Sequence, residues 1–427
     1  MKTVWTALLT LAFLAAAAAL LLRWLRACGL RLPGGGGEGP TPAPAGEAVE
    51  RRELARVFLA ASLFRIAAAL AGFLLFCALT GRLYALSELP QIWERWDACH
   101  YVRLVERGYA GYIENGQHLF LVFFPLYVWL VRPVALLLGN TELAGMLVSL
   151  LCYAGGCCYM YCLGTEEYGK ATARRAILYL SVFPFAFFFG GIMTEGLFFL
   201  TTAAGLYAIR RHRWGQAGLW GFLAALTRMH GVLLIVAAGV ELVEQARPFE
   251  KRGRELRRTL LLTARKLPLL LLPLAGTALY LLLNYAVDGD PFSFLIQQRH
   301  WSQGFLWFPD TLWYLVRNVL HTSSVSTRLE LWLPELLLFP VFAGVLLASW
   351  RRHRSMYTIY AFVYFILNYS LSWLLSAGRY LSCGVPFFLF AAVLTEGHPR
   401  IHRAVTAGMG AGFLLLMSRY LLWGQVM

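Results

Sequence analysis

Long apolar runs alternate with short polar breaks along this chain, at residues 4–22, 55–79, 142–163, 176–191, 193–210, 215–228, 231–245, 267–287, 332–350, 356–375, 380–397 and 402–423. A run of about 20 apolar residues reads as a membrane-spanning helix, because a helix satisfies its own backbone hydrogen bonds inside hydrocarbon. The pattern predicts an all-α polytopic membrane protein with about 11–12 transmembrane helices. The first run is followed directly by Arg23 and Arg26, so residues 1–27 read as a retained N-terminal helix rather than a cleaved signal. Residues 28–53, with Gly34 to Gly37 in a row, read as a flexible linker, and residues 54–427 as the transmembrane unit.

Arginine and lysine clusters orient these runs, since positive loops stay on the cytoplasmic side. The clusters are Arg51-Arg52, Lys170 with Arg174-Arg175, Arg210 to Arg213, the stretch from Arg247 to Lys266, Arg351 to Arg354, and Arg400 to Arg403. With all of them inside, residues 119–138 have no crossing of their own. Interrupted by Pro125, Arg132 and Pro133, they read as a juxtamembrane helix in a first outer loop. Two hairpins then have outer turns at Met193-Thr194-Glu195-Gly196 and Thr227-Arg228-Met229-His230-Gly231, a second outer loop covers 288–331, and Ala377-Gly378-Arg379-Tyr380 forms a further outer turn. Asp97, His100, Glu195, Arg228, Arg299, His300 and Arg379 all fall on one side.

Composition agrees with this class. Hydrophobic residues make up 59% of 427 positions and charged residues 14%, against roughly 45–50% and about 25% in soluble proteins. The net charge of +15 is spread over short clusters between apolar runs, which reads as anchoring to membrane lipids rather than to nucleic acid. The stretch from Arg247 to Lys266 reads as an inside surface helix on anionic lipid. Of the eight cysteines, Cys77, Cys152, Cys157, Cys158, Cys162 and Cys383 lie in apolar runs, where cysteine acts as a small hydrophobe. No metal-type Cys/His spacing is present, and no metal or cofactor is expected.

The chemistry concentrates in Trp96-Asp97-Ala98-Cys99-His100-Tyr101. A carboxylate amid outer-face cations suits transfer from an anionic lipid-linked donor: cations stabilise a departing phosphate, and a carboxylate accepts the proton of an acceptor hydroxyl. Asp97 is the expected base, with helix capping as its alternative role. His100 is open between orienting Asp97, touching the donor and packing. Glu195 fits acceptor binding and stabilisation of a helix N-terminus equally. Arg228 reads as a phosphate contact in preference to an internal ion pair, since guanidinium binds phosphate in bidentate fashion. Arg379 beside Tyr380 reads the same way or as a snorkelling anchor, with Arg299 and His300 next in line. Trp96, Tyr101 and Trp301 are acceptor-contacting or structural candidates.

These residues belong to an ordered set: WDACHY at 96–101, GY at 108–109, FFPLY at 123–127, FPFAFFFGGIMTEGLFFL at 183–200, LYAIRRHRW at 207–214, LAALTRMHG at 223–231, DPFSFLIQQRHW at 290–301 and GRYLSCGVP at 378–386. The set resembles the glycosylphosphatidylinositol mannosyltransferase family that adds the second mannose, together with its bacterial relatives, within the GT-C class of membrane glycosyltransferases. The resemblance implies a GT-C helical bundle, a polyprenyl-phosphate-linked sugar donor, inversion at the anomeric carbon and Asp97 as the catalytic residue. It also implies a glycan or glycolipid acceptor and, with the Ala-, Leu-, Gly- and Arg-rich composition, a bacterial plasma membrane with the site facing outside. The competing reading is a transporter or flippase of lipid-linked glycans, which would show internal repeats. An outer-face phosphoethanolamine or acyl transferase would show a nucleophile or metal cluster.

Overall fold

The computed structural model describes residues 1–31 and 48–426. It is almost wholly helical, and among the described residues the only extended pairings are two isolated bridges, Glu114 with Gln117 and Phe305 with Leu371. In chain order the principal helices are α1 (Lys2–Ala27), α2 (Arg51–Thr80), α3 (Asp97–Gly111), α4 (Pro125–Leu138), α5 (Thr141–Tyr168) and α6 (Lys170–Val182). They continue with α7 (Glu195–Arg210), α8 (Trp214–Thr227), α9 (Leu234–Ala246), α10 (Gly253–Ala264), α11 (Leu272–Asp288) and α12 (Phe308–His321). The last five are α13 (Leu333–Ser349), α14 (Ser355–Asn368), α15 (Ala377–Ser382), α16 (Val385–Leu394) and α17 (Pro399–Leu421). Seven helical stretches are long and apolar enough to cross a membrane: Lys2–Ala27, Arg51–Thr80, Thr141–Tyr168, Met229–Glu250, Gly253–Asp288, Val325–Arg352 and Pro399–Leu421. The protein is an integral, multi-pass membrane protein.

Helix ends sort into two groups. At one end Glu53 pairs with Lys170 (3.0 Å), Glu167 takes Arg210 and Arg354, His212 meets Glu241 (2.9 Å), and Lys266 lies over Trp214 (5.4 Å). Arg23 donates to the Trp350 and His353 carbonyls there, and Arg175 donates to that of Ala392 (2.9 Å). With His402 on the Tyr179 hydroxyl (2.9 Å), every cluster that the positive-inside rule groups together is at this basic end. The opposite end holds Lys2 on Asp310 (3.1 Å), His118 on Asp288 (2.5 Å) and the loop before α3. Helix α1 is fastened at both: Trp5 donates to the Pro309 carbonyl (2.9 Å) and Trp307 to Thr10 (2.9 Å), while Trp24 donates to the Val240 carbonyl (3.1 Å).

Three expected spans are shorter than their apolar runs. Helix α6 stops at Val182 because Pro184 drives Phe183 out of the helical region (ψ 139), and residues 183–194 carry only a short 3₁₀ turn, Ala186–Gly190. Helix α14 ends at Asn368 rather than 375, and the run 380–397 is broken at Cys383-Gly384, before Pro386. These breaks are where the chemistry sits. The expected linker 28–53 lies largely outside the described residues, but both its margins are structured. Cys28 is fully buried with its carbonyl on the Phe249 amide, and α2 begins at Arg51.

Helix α4 has 14 residues, about 21 Å of helix against a hydrocarbon core of about 30 Å. Pro125 opens it, left-handed Gly139 (φ 66) closes it, and Asn140 caps α5 through the Leu143 amide (2.7 Å). The Tyr127 hydroxyl fixes α4 to α5 at the Gly145 carbonyl and Ser149 Oγ, both 2.9 Å.

Candidate active site

Asp97 is the first residue of α3, and its carboxylate does not cap that helix. The preceding Trp96 holds φ 51 and ψ −123, a left-handed conformation that costs a bulky residue on the order of 1–3 kcal/mol and needs surroundings that enforce it. The C-terminal segment enforces it: Trp96 Nε1 donates to the Gly424 carbonyl (3.1 Å) and its ring packs on Trp423 (5.8 Å). The strain turns the Asp97 side chain toward the broken segments. Arg379 Nη1 donates to Asp97 Oδ2 at 2.7 Å, and the Asp97 side chain keeps 39% of its surface exposed.

Arg379 is carried by the short helix α15 and is 5% exposed. Its Nε donates to Glu195 Oε1 (2.7 Å), and Arg228 donates to the same oxygen through Nη2 (2.5 Å) and to Thr194 Oγ1 through Nε (2.8 Å). The result is one chain of alternating charge, Asp97–Arg379–Glu195–Arg228, joining α3, α15, the N-terminus of α7 and the end of α8. Glu195 is wholly buried, and the next residue explains how α7 comes close enough: a Cβ at Gly196 would stand 2.5 Å from the Ser149 carbonyl oxygen of α5. Taking charges out of water is unfavourable unless each is paired and hydrogen-bonded. Here both guanidinium groups are. Aromatic faces complete the enclosure, with Phe188 under Arg379 (4.7 Å) and Tyr380 under Arg228 (5.2 Å).

The internal ion pair weighed against a phosphate contact for Arg228 is present, since Arg228 is ion-paired with Glu195. The apolar run around it holds no acid, but the turn at 193–196 brings one from another hairpin. Arg379 is likewise committed to two carboxylates rather than snorkelling. Among the described residues, Glu195 Oε2 and Arg228 Nη1 of the cluster have no partner.

His100 does not bond to Asp97. Its ring stacks on Phe120 (4.1 Å) and its Nδ1 meets the Tyr112 hydroxyl (3.0 Å). Burial holds the His100 imidazole below its ordinary value, with Asp97 pulling the other way. Arg299 and His300 are both exposed; His300 Nε2 meets Gln117 Oε1 (2.9 Å), and Trp301 packs on Phe120 (6.2 Å). Their turn therefore borders the stack that carries His100. Tyr101 is buried, edge-on to Phe123 (4.7 Å) and Tyr127 (5.2 Å). Among the described residues, no three His, Cys, Asp or Glu side chains gather to hold a metal ion.

Among the buried charges that the sequence reading did not single out, two flank the site. Arg65 is 2% exposed within α2, and Glu335 is 1% exposed in the first turn of α13. Glu335 Oε2 accepts the Ala377 amide (2.7 Å), fixing the start of the helix that carries Arg379. The signal was present for both: each is a lone ionisable residue inside an apolar run, the same mark that singled out Arg228.

No curated protein matches the chain. Crystal structures of ArnT from Cupriavidus metallidurans are similar at 18% identity. The one bound to undecaprenyl phosphate gives a TM-score of 0.49, covering 84% of this chain and 63% of that one. The apo state gives 0.47, covering 81% and 61%. The chain thus spans less than two thirds of the length of these ArnT chains. Residues 124–269, which carry Glu195 and Arg228 but not Asp97 or Arg379, match the family described as dolichyl-phosphate-mannose-protein mannosyltransferase.

Proposed function

We propose that the protein is a membrane glycosyltransferase that moves a sugar, mannose in the first instance, from a polyprenyl-phosphate donor to a glycan or glycolipid acceptor, at the outer face of a bacterial plasma membrane. One observation carries this reading: Asp97 is the half-exposed terminus of an otherwise buried chain of charges. A carboxylate so held is a fixed base with one side open. In the reaction the acceptor hydroxyl oxygen attacks the anomeric carbon, the bond from that carbon to the phosphate oxygen breaks with inversion, and Asp97 Oδ1 or Oδ2 takes the hydroxyl proton.

Arg379 serves as the orienting partner of Asp97, and Glu195 with Arg228 holds Arg379 in place. With two carboxylates already balancing two guanidinium groups, a phosphate is better met by the exposed cations bordering the His100 stack, Arg299 and His300, with the neutral His100 donating or accepting through Nε2. The match of residues 124–269 to the dolichyl-phosphate-mannose-protein mannosyltransferase family supports the donor class. The test is mass spectrometry of cell-surface glycans from a deletion strain, with purified protein supplied with polyprenyl-phosphate mannose. A glycan lacking one hexose, restored by the wild-type gene, is expected. Unchanged glycans together with translocation of an intact lipid-linked glycan by the purified protein would favour a flippase instead.

A further inference from the structure

Arg65 lies midway along the apolar helix α2, and among the described residues no carboxylate partners it. Its acceptors are the Ala186 carbonyl (Nη1, 2.5 Å), the Ser181 carbonyl (Nη2, 2.8 Å) and the Tyr153 hydroxyl (Nη2, 3.2 Å). The guanidinium also lies 4.3 Å from the centre of the Tyr153 ring. An ionisable group at such a depth is costly and marks a functional element more often than a packing choice. The local geometry says what this one answers to. Helix α6 ends at Val182, and its last carbonyls have no further turn to donate to them, which inside hydrocarbon costs several kcal/mol per group. A cation at a helix C-terminus also meets the negative end of the dipole.

The segment that begins at this capped end runs directly to the site. Phe185 packs on Gly378, where a Cβ would stand 2.4 Å from the ring. Phe188 lies under Arg379, the Met193 sulfur accepts from Arg379 Nη2 (3.5 Å), and Thr194 and Glu195 take Arg228. We infer that Arg65 is a positioning residue: by holding the carbonyls of Ser181 and Ala186 it fixes the path of residues 183–194, and so sets Glu195 and Arg379 beneath Asp97. The consequence for turnover rests on the transferase reading, while the effect on the segment does not.

The test uses purified full-length Arg65→Gln and Arg65→Lys. In hydrogen exchange, amides 185–195 are expected to exchange at least ~10-fold faster in Arg65→Gln, with α1 and α13 unchanged. Lysine, a single-point donor that keeps the charge, is expected to restore part of the protection. For sugar transfer, kcat is expected to fall ~10- to 100-fold with donor KM within about twofold, as for a misplaced reacting group. Combining Arg65→Gln with Glu195→Gln should add nothing to the loss from Glu195→Gln alone. Unchanged exchange at 185–195, exchange rising evenly over the whole protein, or fully additive losses in kcat would each overturn the role. If Arg65→Gln fails to fold, Arg65→Lys decides both arms. Should the wild-type protein transfer no sugar, the transferase reading fails while the exchange arm still decides Arg65.

Discussion

Arg228 and Arg379 share one buried oxygen, so removing either leaves a different residue stranded. In Arg228→Ala, Glu195 keeps one cation in a fully buried site, and a destabilisation of about 3–5 kcal/mol is expected, the range for breaking a buried pair. Glu195→Gln in the same chain should recover part of it, because a neutral amide needs no counter-charge. Thermal unfolding in detergent measures both; an Arg228→Ala protein as stable as wild type would mean that the pair is not buried. Arg379→Ala is expected to lower kcat more than it raises donor KM, since it frees Asp97, whereas a pure KM effect would return Arg379 to the phosphate. His100 adds a pH dependence. Burial lowers its folded-state value from the ordinary 6.5, so the unfolded chain takes the proton first as pH falls. Stability should therefore drop as pH falls through 6.5 and level off below the folded-state value. His100→Asn should flatten that drop.

At the scale of elements, the breaks were harder to see than the helices. Apolar length and the positive clusters were enough to order the runs and to bring Asp97, Glu195, Arg228 and Arg379 to one end. Hydropathy is blind to where a run stops being helical, so Pro184 and Pro386 had to be weighed as helix breakers inside stretches that look continuous. The pairing of Arg228 with Glu195 depends on the path of residues 183–194, which no local pattern encodes. Arg65 and Glu335 are legible by the same mark as Arg228, an ionisable residue inside an apolar run, whereas their partners at 181, 186 and 377 are set by tertiary folding. Helix α10 offers its own test: it has no buried residue, and Arg254, Arg257, Arg258 and Arg265 line one cleft with Leu261 and Leu262. Replacing these four arginines with glutamine should weaken binding of a peptide spanning 250–267 to vesicles containing phosphatidylglycerol, and added salt should weaken the native peptide likewise. Binding insensitive to both would remove the lipid role.

For the whole molecule, the basic end and the site end lie at opposite poles, so one orientation decides where the chemistry happens. Single cysteines at Gly139 and Glu142, next to the turn between α4 and α5, are expected to react with an impermeant thiol reagent in intact cells of a cysteine-free background. Labelling only after permeabilisation would put the site end inside. The central claim is that Asp97, held by Arg379 at the mouth of a buried charge chain, is the base of sugar transfer from a polyprenyl phosphate. It is tested most directly by comparing turnover of wild-type and Asp97→Asn protein in nanodiscs with polyprenyl-phosphate mannose and a lipid-extract acceptor, at matched folding. A loss of at least ~10²-fold in kcat, with donor binding retained, is the expected result for losing a general base. Near-wild-type turnover by Asp97→Asn would contradict it.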